Sequence, residues 1–191
     1  PSDVLFNGRP GDPRLGQWVK VDCDLQKQGL NGFGLMGCPD DTGVRLNRGR
    51  PGADKGPDQI RRALYKMALL ENWPEGFLID AGNIAVSQDI LQTHQGAFVT
   101  AEQIVKSGLG LITLGGGHDF AFPCFAGFAS AVRSTEPNAR LGLINVDPHL
   151  DVRELIQDKP HSGTAFRQII ETAVLPGKSL IEFGARRNRN A

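Results

Sequence analysis

The chain has 191 residues, with 21 Lys and Arg against 21 Asp and Glu, so its formal net charge is zero. That balance excludes nucleic acid as the main partner, because neutralising phosphates needs a basic excess. Apolar residues make up 40% and charged residues 22%, a globular mix that excludes a disordered chain and fits one domain over residues 1–191.

Residues 1–32 are polar and turn-rich (Asn7-Gly8-Arg9-Pro10-Gly11-Asp12-Pro13), and are expected to wrap a core formed later in the chain. Phe33 to Gly37 reads as a short buried strand, and residues 38–56 as a long loop. Pro57 opens a helix with Ile60, Ala63, Leu64 and Met67 on its apolar face, ending before Pro74. Phe77 to Gly82 follows as a strand and turn. Thr100 with Gln103 signals a capping box, so the next helix is expected to start there and stop near Gly108. His94 falls in a polar stretch and is assigned to the surface. Leu109–Leu114 is a strand, residues 119–133 a helix, Arg140–Val146 a strand, Gly163–Val174 a helix and Ser179–Gly184 a strand. Apolar strands alternating with helices predict an α/β fold with a parallel sheet covered on both faces. Such sheets bind ligands at the carboxyl ends of their strands.

No apolar run reaches the ~18 residues of a membrane span. The Pro1-Ser2-Asp3 start lacks a basic and then apolar stretch, so no signal peptide is expected. Cys23, Cys38 and Cys124 form no C-x-x-C pair, and their odd number points to a reducing compartment, most simply the cytoplasm. The basic cluster Arg186, Arg187 and Arg189 reads as solvated surface.

The chemistry concentrates after two strands. Asp147, His149 and Asp151 alternate at a spacing of two, which on an extended backbone puts all three side chains on one side. Converging carboxylates and an imidazole repel or titrate unless a cation holds them. Oxygen and nitrogen donors together suit manganese, ahead of iron and zinc. The alternative is an exposed acidic turn with a chance histidine. Gly115-Gly116-Gly117 then His118-Asp119 also follows a strand; the glycines allow conformations closed to other residues and a close approach of backbone. Its alternative is a flexible turn with a capping histidine. Together the two segments offer four ligands. A pair of metals ~4 Å apart would need bridging carboxylates, a task for Asp147 and Asp151. Gly32-Phe33-Gly34-Leu35-Met36-Gly37 matches G-x-G-x-x-G, but no strand precedes it and Pro39 breaks any helix after it, so a dinucleotide site is rejected.

These residues resemble the ureohydrolase family of arginases, agmatinases and formimidoylglutamases. The family's G-G-x-H motif is similar to Gly116-Gly117-His118, and its D-A-H-x-D motif to Asp147-Pro148-His149-Leu150-Asp151. The stretch from Gly49 to Arg61 looks like the family's loop into its first helix, and His161 to Gln168 like the S-S-G-T-P-F-R-Q segment of formimidoylglutamases. The resemblance runs from about Leu15 to the C-terminus. It implies a three-layer α/β/α fold and a centre of two Mn2+ ions, with a metal-bridging hydroxide attacking a guanidine or formimino carbon. His118, Asp147, His149 and Asp151 would be the metal ligands, Asp147 and His149 the catalytic pair.

Gly115-Gly116-Gly117-His118 with an acidic residue next is closer to formimidoylglutamases than to the G-G-D-H-S of arginases and agmatinases. The implied reaction is N-formimidoyl-L-glutamate plus water to L-glutamate and formamide, a step of histidine breakdown. Arg153 is placed to reach a substrate carboxylate, with Ser162 or Thr164 adding hydrogen bonds; the alternative for each is a loop residue holding its own turn. His161 stands one residue before the histidine position of agmatinases and is a candidate for a displaced proton shuttle. The resemblance also implies a small-molecule substrate and a homo-oligomer. Two departures stand out: Pro148 replaces the usual alanine, and the S-x-D-x-D motif is absent before Ala191. The sequence is therefore read as an incomplete or truncated family chain, with an agmatinase-like amidinohydrolase and a non-catalytic remnant as alternatives.

Overall fold

A computed structural model of the chain describes residues 10–21, 23–69, 74 and 76–190. The Pro1-Ser2-Asp3 start and the turn residues Asn7-Gly8-Arg9 lie outside them. Four strands form a first sheet in the order β1-β3-β2-β4: β1 is Lys20–Val21, β2 Phe33–Gly37, β3 Leu78–Asn83 and β4 Gly110–Leu114. A second sheet pairs β5, Leu143–Val146, with β6, Leu180–Phe183. The pairings between these strands are parallel, as the short apolar strands predict. The single sheet expected from the sequence is thus two among the described residues, with no ladder between β4 and β5. The helices are α1, Thr42–Leu46; α2, Gly56–Leu64; α3, Ile90–Lys106; α4, Ala121–Thr135; and α5, Ala165–Glu171. None is long and apolar enough to cross a membrane.

Strand alternation divides the core. Leu35 and Leu78 pack with Leu15, Val19 and Tyr65 on one face of the first sheet. Their neighbours Met36 and Ile79 pack with Ala97, Ala101 and Ile104 of α3 and Cys124 of α4 on the other. Successive residues facing two cores make this a three-layer α/β/α arrangement. Residues 15–19 wrap the core as expected. The second sheet is covered on one face only: Leu143 and Leu180 pack against Phe166 and Ile169 of α5. Its other face presents Ile144, Val146, Ile181 and Phe183 at 62%, 74%, 56% and 65% exposure.

Three helices depart from expectation, the first being α1, which interrupts the loop expected over residues 38–56. α3 begins eleven residues before Thr100, at Asp89, whose carboxylate accepts the Leu91 N–H at 3.0 Å. Thr100 lies mid-helix and returns its hydroxyl to the Gly96 carbonyl at 2.9 Å. α2 starts at Gly56–Pro57 as expected, but stops at Leu64 and turns Ile60 outward, 44% exposed. Arg61, 1% exposed, takes the inner face instead. The reason is Asp80 within β3. Arg61 donates to both its oxygens, at 2.9 and 2.8 Å, and the Tyr65 hydroxyl and Gly82 N–H donate as well. A buried carboxylate demands such partners, and that demand outweighs the apolar pattern of the helix.

Burial alone would raise the Asp80 carboxyl; the hydrogen bonds from Arg61, Tyr65 and Gly82 outweigh it and hold the group below its ordinary value. The depressed value stabilises the fold above the unfolded carboxylate range, and this is lost as pH falls through the folded value. Asp80→Ala, which leaves Arg61 buried without its carboxylate, is expected to cost about 3–5 kcal/mol in urea unfolding near neutral pH. Part of the acid sensitivity of the wild type should vanish with it. A loss below about 1 kcal/mol would show that the pair does not anchor α2.

Candidate metal centre

The first ligand loop leaves the carboxyl end of β4. The Gly116 N–H donates to the Cys38 carbonyl at 2.8 Å and the Gly117 N–H to the Asp40 carbonyl at 3.0 Å. A Cβ on Gly116 would overlap both carbonyls. Close approach therefore explains the glycine, not a special conformation: none of the three has positive φ. The loop delivers His118, which opens a 3-10 turn leading into α4.

Asp119 beside it is fully buried and pairs with His94 Nε2 at 2.8 Å. His94 is therefore a core residue, 6% exposed, and not the surface residue expected from its polar neighbours. On α3 it shares the inward face with Ile90, Ala97 and Ala101.

The second ligand loop leaves β5. The Asp147 N–H still donates across to Phe183 of β6, at 3.1 Å, and then the chain bends. Asp147 Oδ1 accepts the His149 N–H at 2.6 Å, and Asp151 adopts φ +48°. Asp tolerates this left-handed conformation better than most residues. The three side chains thus converge through bends, not through the extended alternation expected. Pro148 contributes only its carbonyl, which accepts from Asn190 at 3.0 Å, so the proline leaves the turn intact. Asn190 Oδ1 accepts the Leu150 N–H at 2.7 Å and completes the clamp.

The loops meet. His118 Nδ1 lies 2.6 Å from Asp151 Oδ2 and 3.8 Å from Asp147 Oδ2. One ligand atom from each of these three residues falls within 4.8 Å of the others. His149 stands outside this group: its Nδ1 is 2.9 Å from Asp147 Oδ1. The two oxygens of Asp147 therefore face two different imidazoles. The Asp151 contact is with His118, on one of those sides. The donors are oxygen and imidazole nitrogen without a thiol, which fits manganese. The Asp151 hydrogen bond pushes the His118 imidazole above its ordinary value, against burial, and Asp147 adds to it. The Phe166 ring packs edge-on against His118, centroids 5.6 Å apart.

A cavity of about 430 Å³ opens beside these side chains. Arg153 and Ser162 line it, linked through Asn47: Arg153 Nη1 donates to Asn47 Oδ1 at 3.2 Å, and Asn47 Nδ2 donates to Ser162 Oγ at 3.0 Å. Thr164 does not reach it. Fully buried, its hydroxyl donates to the His161 carbonyl at 2.8 Å and accepts the His161 N–H at 3.1 Å. The residue holds its own turn.

His161 is likewise occupied. Nδ1 accepts the Gly163 N–H at 3.1 Å, so Nε2 carries the proton and donates to the Glu154 carbonyl at 2.9 Å. Neither nitrogen is left to shuttle a proton. Arg189 also lines the cavity, although the sequence placed it with solvated surface. Asn47 carries no motif that could have revealed it.

The profile of the arginase family matches residues 31–191. The formimidoylglutamase of Aromatoleum aromaticum is 39% identical over 166 residues, covering 82% of this chain and 47% of the relative. That of Rhodococcus opacus is 41% identical over 149 residues, covering 76% and 44%. The chain thus spans about half the length of these relatives. Among solved structures, a Trypanosoma cruzi formiminoglutamase with Mn2+ superposes with a TM-score of 0.77 at 30% identity, covering 94% of this chain and 60% of the other. The formimidoylglutamase from Bacillus subtilis, 22% identical with a TM-score of 0.80 over 97% of this chain and 57% of its own, shares the fold.

A cation entering between His118 and Asp151 must displace the proton His118 holds. Manganese binding is therefore expected to release protons and to weaken as pH falls, as calorimetry in buffers of different ionisation enthalpy would register. Equal affinity at about pH 5.5 and about pH 8, which bracket the range over which imidazole titrates, would rule His118 out as a ligand. Gly116→Ala, which forces the loop off the Cys38 and Asp40 carbonyls, should weaken binding as well; unchanged affinity would show that the loop carries no ligand.

Proposed function

The chain belongs to the arginase family, and we propose that it is a manganese-dependent hydrolase of non-peptide C–N bonds that acts on N-formimidoyl-L-glutamate. The observation that carries this is the carboxylate of Asp147 between His118 and His149 at the floor of the cavity. His118, Asp147 and Asp151 would hold one ion, and Asp147 with His149 a second. Bound metal supplies a water of lowered pKa and positive charge to stabilise the tetrahedral transition state.

The chain's own groups select the substrate. Arg153 and Arg189 face the cavity, and guanidinium groups attract carboxylates and repel cations. N-formimidoyl-L-glutamate carries two carboxylates; agmatine carries none and has two positive ends. This charge pattern favours the formimino substrate over a guanidino one, and its products would be L-glutamate and formamide, in the breakdown of histidine. Ser162 and Asn47 orient Arg153 through their hydrogen-bond chain. His161 is assigned no part in proton transfer. Three free thiols suit a reducing compartment, and we place the activity in the cytoplasm.

The test is product analysis with the manganese-loaded chain. Formamide from N-formimidoyl-L-glutamate is the expected result, and Asp147→Asn should lower kcat/KM by more than about 100-fold. Arg153→Met should raise KM for this substrate more than it lowers kcat. Urea from arginine or agmatine without formamide would reassign the substrate. No product from any of the three would make this chain a non-catalytic remnant.

A further inference from the structure

We infer that Glu182 is a positioning residue for the ligand turn 147–151, acting through the side-chain amide of Asn145. The inference rests on the proposed metal centre for its consequence, though not for its geometry. Asn145 of β5 and Glu182 of β6 are register partners at the carboxyl end of the second sheet. Alternation turns both away from the open apolar face of Ile144, Val146, Ile181 and Phe183, onto the side where Leu143 and Leu180 are covered. There they form a polar pair, Asn145 only 5% exposed and Glu182 half-buried.

The amide of Asn145 spans two elements. Nδ2 donates to Glu182 Oε2 at 2.8 Å and to the His149 backbone carbonyl at 3.3 Å. One amide group thus fixes the middle of the ligand turn to the strand below it. Glu182 sets its orientation, because a carboxylate is acceptor-only and holds the nitrogen end of the amide toward itself. Released from Glu182, the amide can rotate, and the His149 carbonyl loses its donor.

A bland reading is a polar pair that merely decorates a strand end. The cost argues against it. Glu182 Oε1 is buried with no hydrogen-bond partner among the described residues. Leaving a carboxylate oxygen in that state is destabilising, whereas an apolar residue there would extend the Leu143 and Leu180 surface. Burial pushes the Glu182 carboxyl up; the Asn145 hydrogen bond lowers it, and the charges of Asp151 and Asp147 raise it further. The carboxylate therefore lies within the field of the ligand cluster. Groups that orient ligands from behind are the usual users of such costly placements.

The experiment compares wild type with Glu182→Gln, Glu182→Val, Asn145→Leu and the Val–Leu double variant. Glutamine keeps an oxygen acceptor for Asn145, and valine suits a strand while removing it. Should the valine variant not fold, Glu182→Thr serves the same comparison. Two readouts are taken: amide hydrogen exchange of residues 149–151 in the metal-free chain, and manganese affinity by calorimetry.

The valine and leucine variants are expected to exchange faster and to bind manganese about 10- to 100-fold more weakly, the glutamine variant to stay within about threefold, and the double variant to be no worse than either single one. Wild-type exchange and affinity in Glu182→Val would overturn the inference. So would a glutamine variant as weak as the valine one, or additive losses in the double variant. Absence of manganese binding by the wild type would refute the metal centre itself, and the exchange comparison would still decide whether Glu182 positions the turn.

Discussion

Two carboxylates and two imidazoles are drawn together from separate sheets, and the rest of the molecule depends on that convergence. His118 comes from the carboxyl end of the first sheet, and Asp147, His149 and Asp151 from that of the second. Among the described residues no ladder joins β4 to β5, so the junction relies on packing and on these side chains. Asp147 and Asp151 both raise the His118 imidazole, and a dication would offset the repulsion between the two carboxylates. A cation here would therefore hold two halves of a scaffold together as well as activate a reactant. Backbone hydrogen bonds beside the cluster tie down the segments that follow β5. The Phe166 N–H at the start of α5 donates to the Asp151 carbonyl at 3.1 Å, and the Ser162 N–H donates to Gly43 of α1, also at 3.1 Å.

Buried charge also fixes the loop between β2 and α2. The Asp41 carboxyl accepts the Gly52 N–H at 2.7 Å and the Arg45 Nε–H at the same distance. The Gly52 bond, followed by Arg45, holds that carboxyl below its ordinary value. Asp41 thereby closes an eleven-residue loop whose far end leads into α2, where Arg61 meets Asp80. Asp41 after β2 and Asp80 within β3 thus fasten the scaffold, while Asp147 and Asp151 after β5 meet imidazoles.

The sequence was most legible where one force acts alone. Apolar runs without competing charge gave β2 and β4 within a residue, and Pro57 gave the start of α2. The meeting of His118 with Asp147 and Asp151 was legible in outline, because both motifs follow strands whose carboxyl ends lie together. Misplacements arose where a distant partner decides. Arg61 looks like an exposed residue until Asp80 is seen beside it, and His94 like a surface one until Asp119 is. Thr100 and Gln103 carry a capping pattern that α3 simply runs through. The bends at Asp147 and Asp151 depend on an Asx turn and on Asn190, about forty residues downstream, and no local pattern encodes that clamp. Arg189 belongs to a cluster whose members differ only in where the chain folds them.

The open face of the second sheet has a consequence of another kind. Ile144 pairs in register with Ile181, and Val146 with Phe183, so the exposed side chains form a contiguous oily stripe beside the edge of β6. An apolar stripe along an unpaired strand edge is a template for pairing with other strands, its own copies included. These four residues lie on the face opposite Asn145 and Glu182. Charged substitutions there would change how the chain behaves in concentrated solution before they changed anything it does to a small molecule.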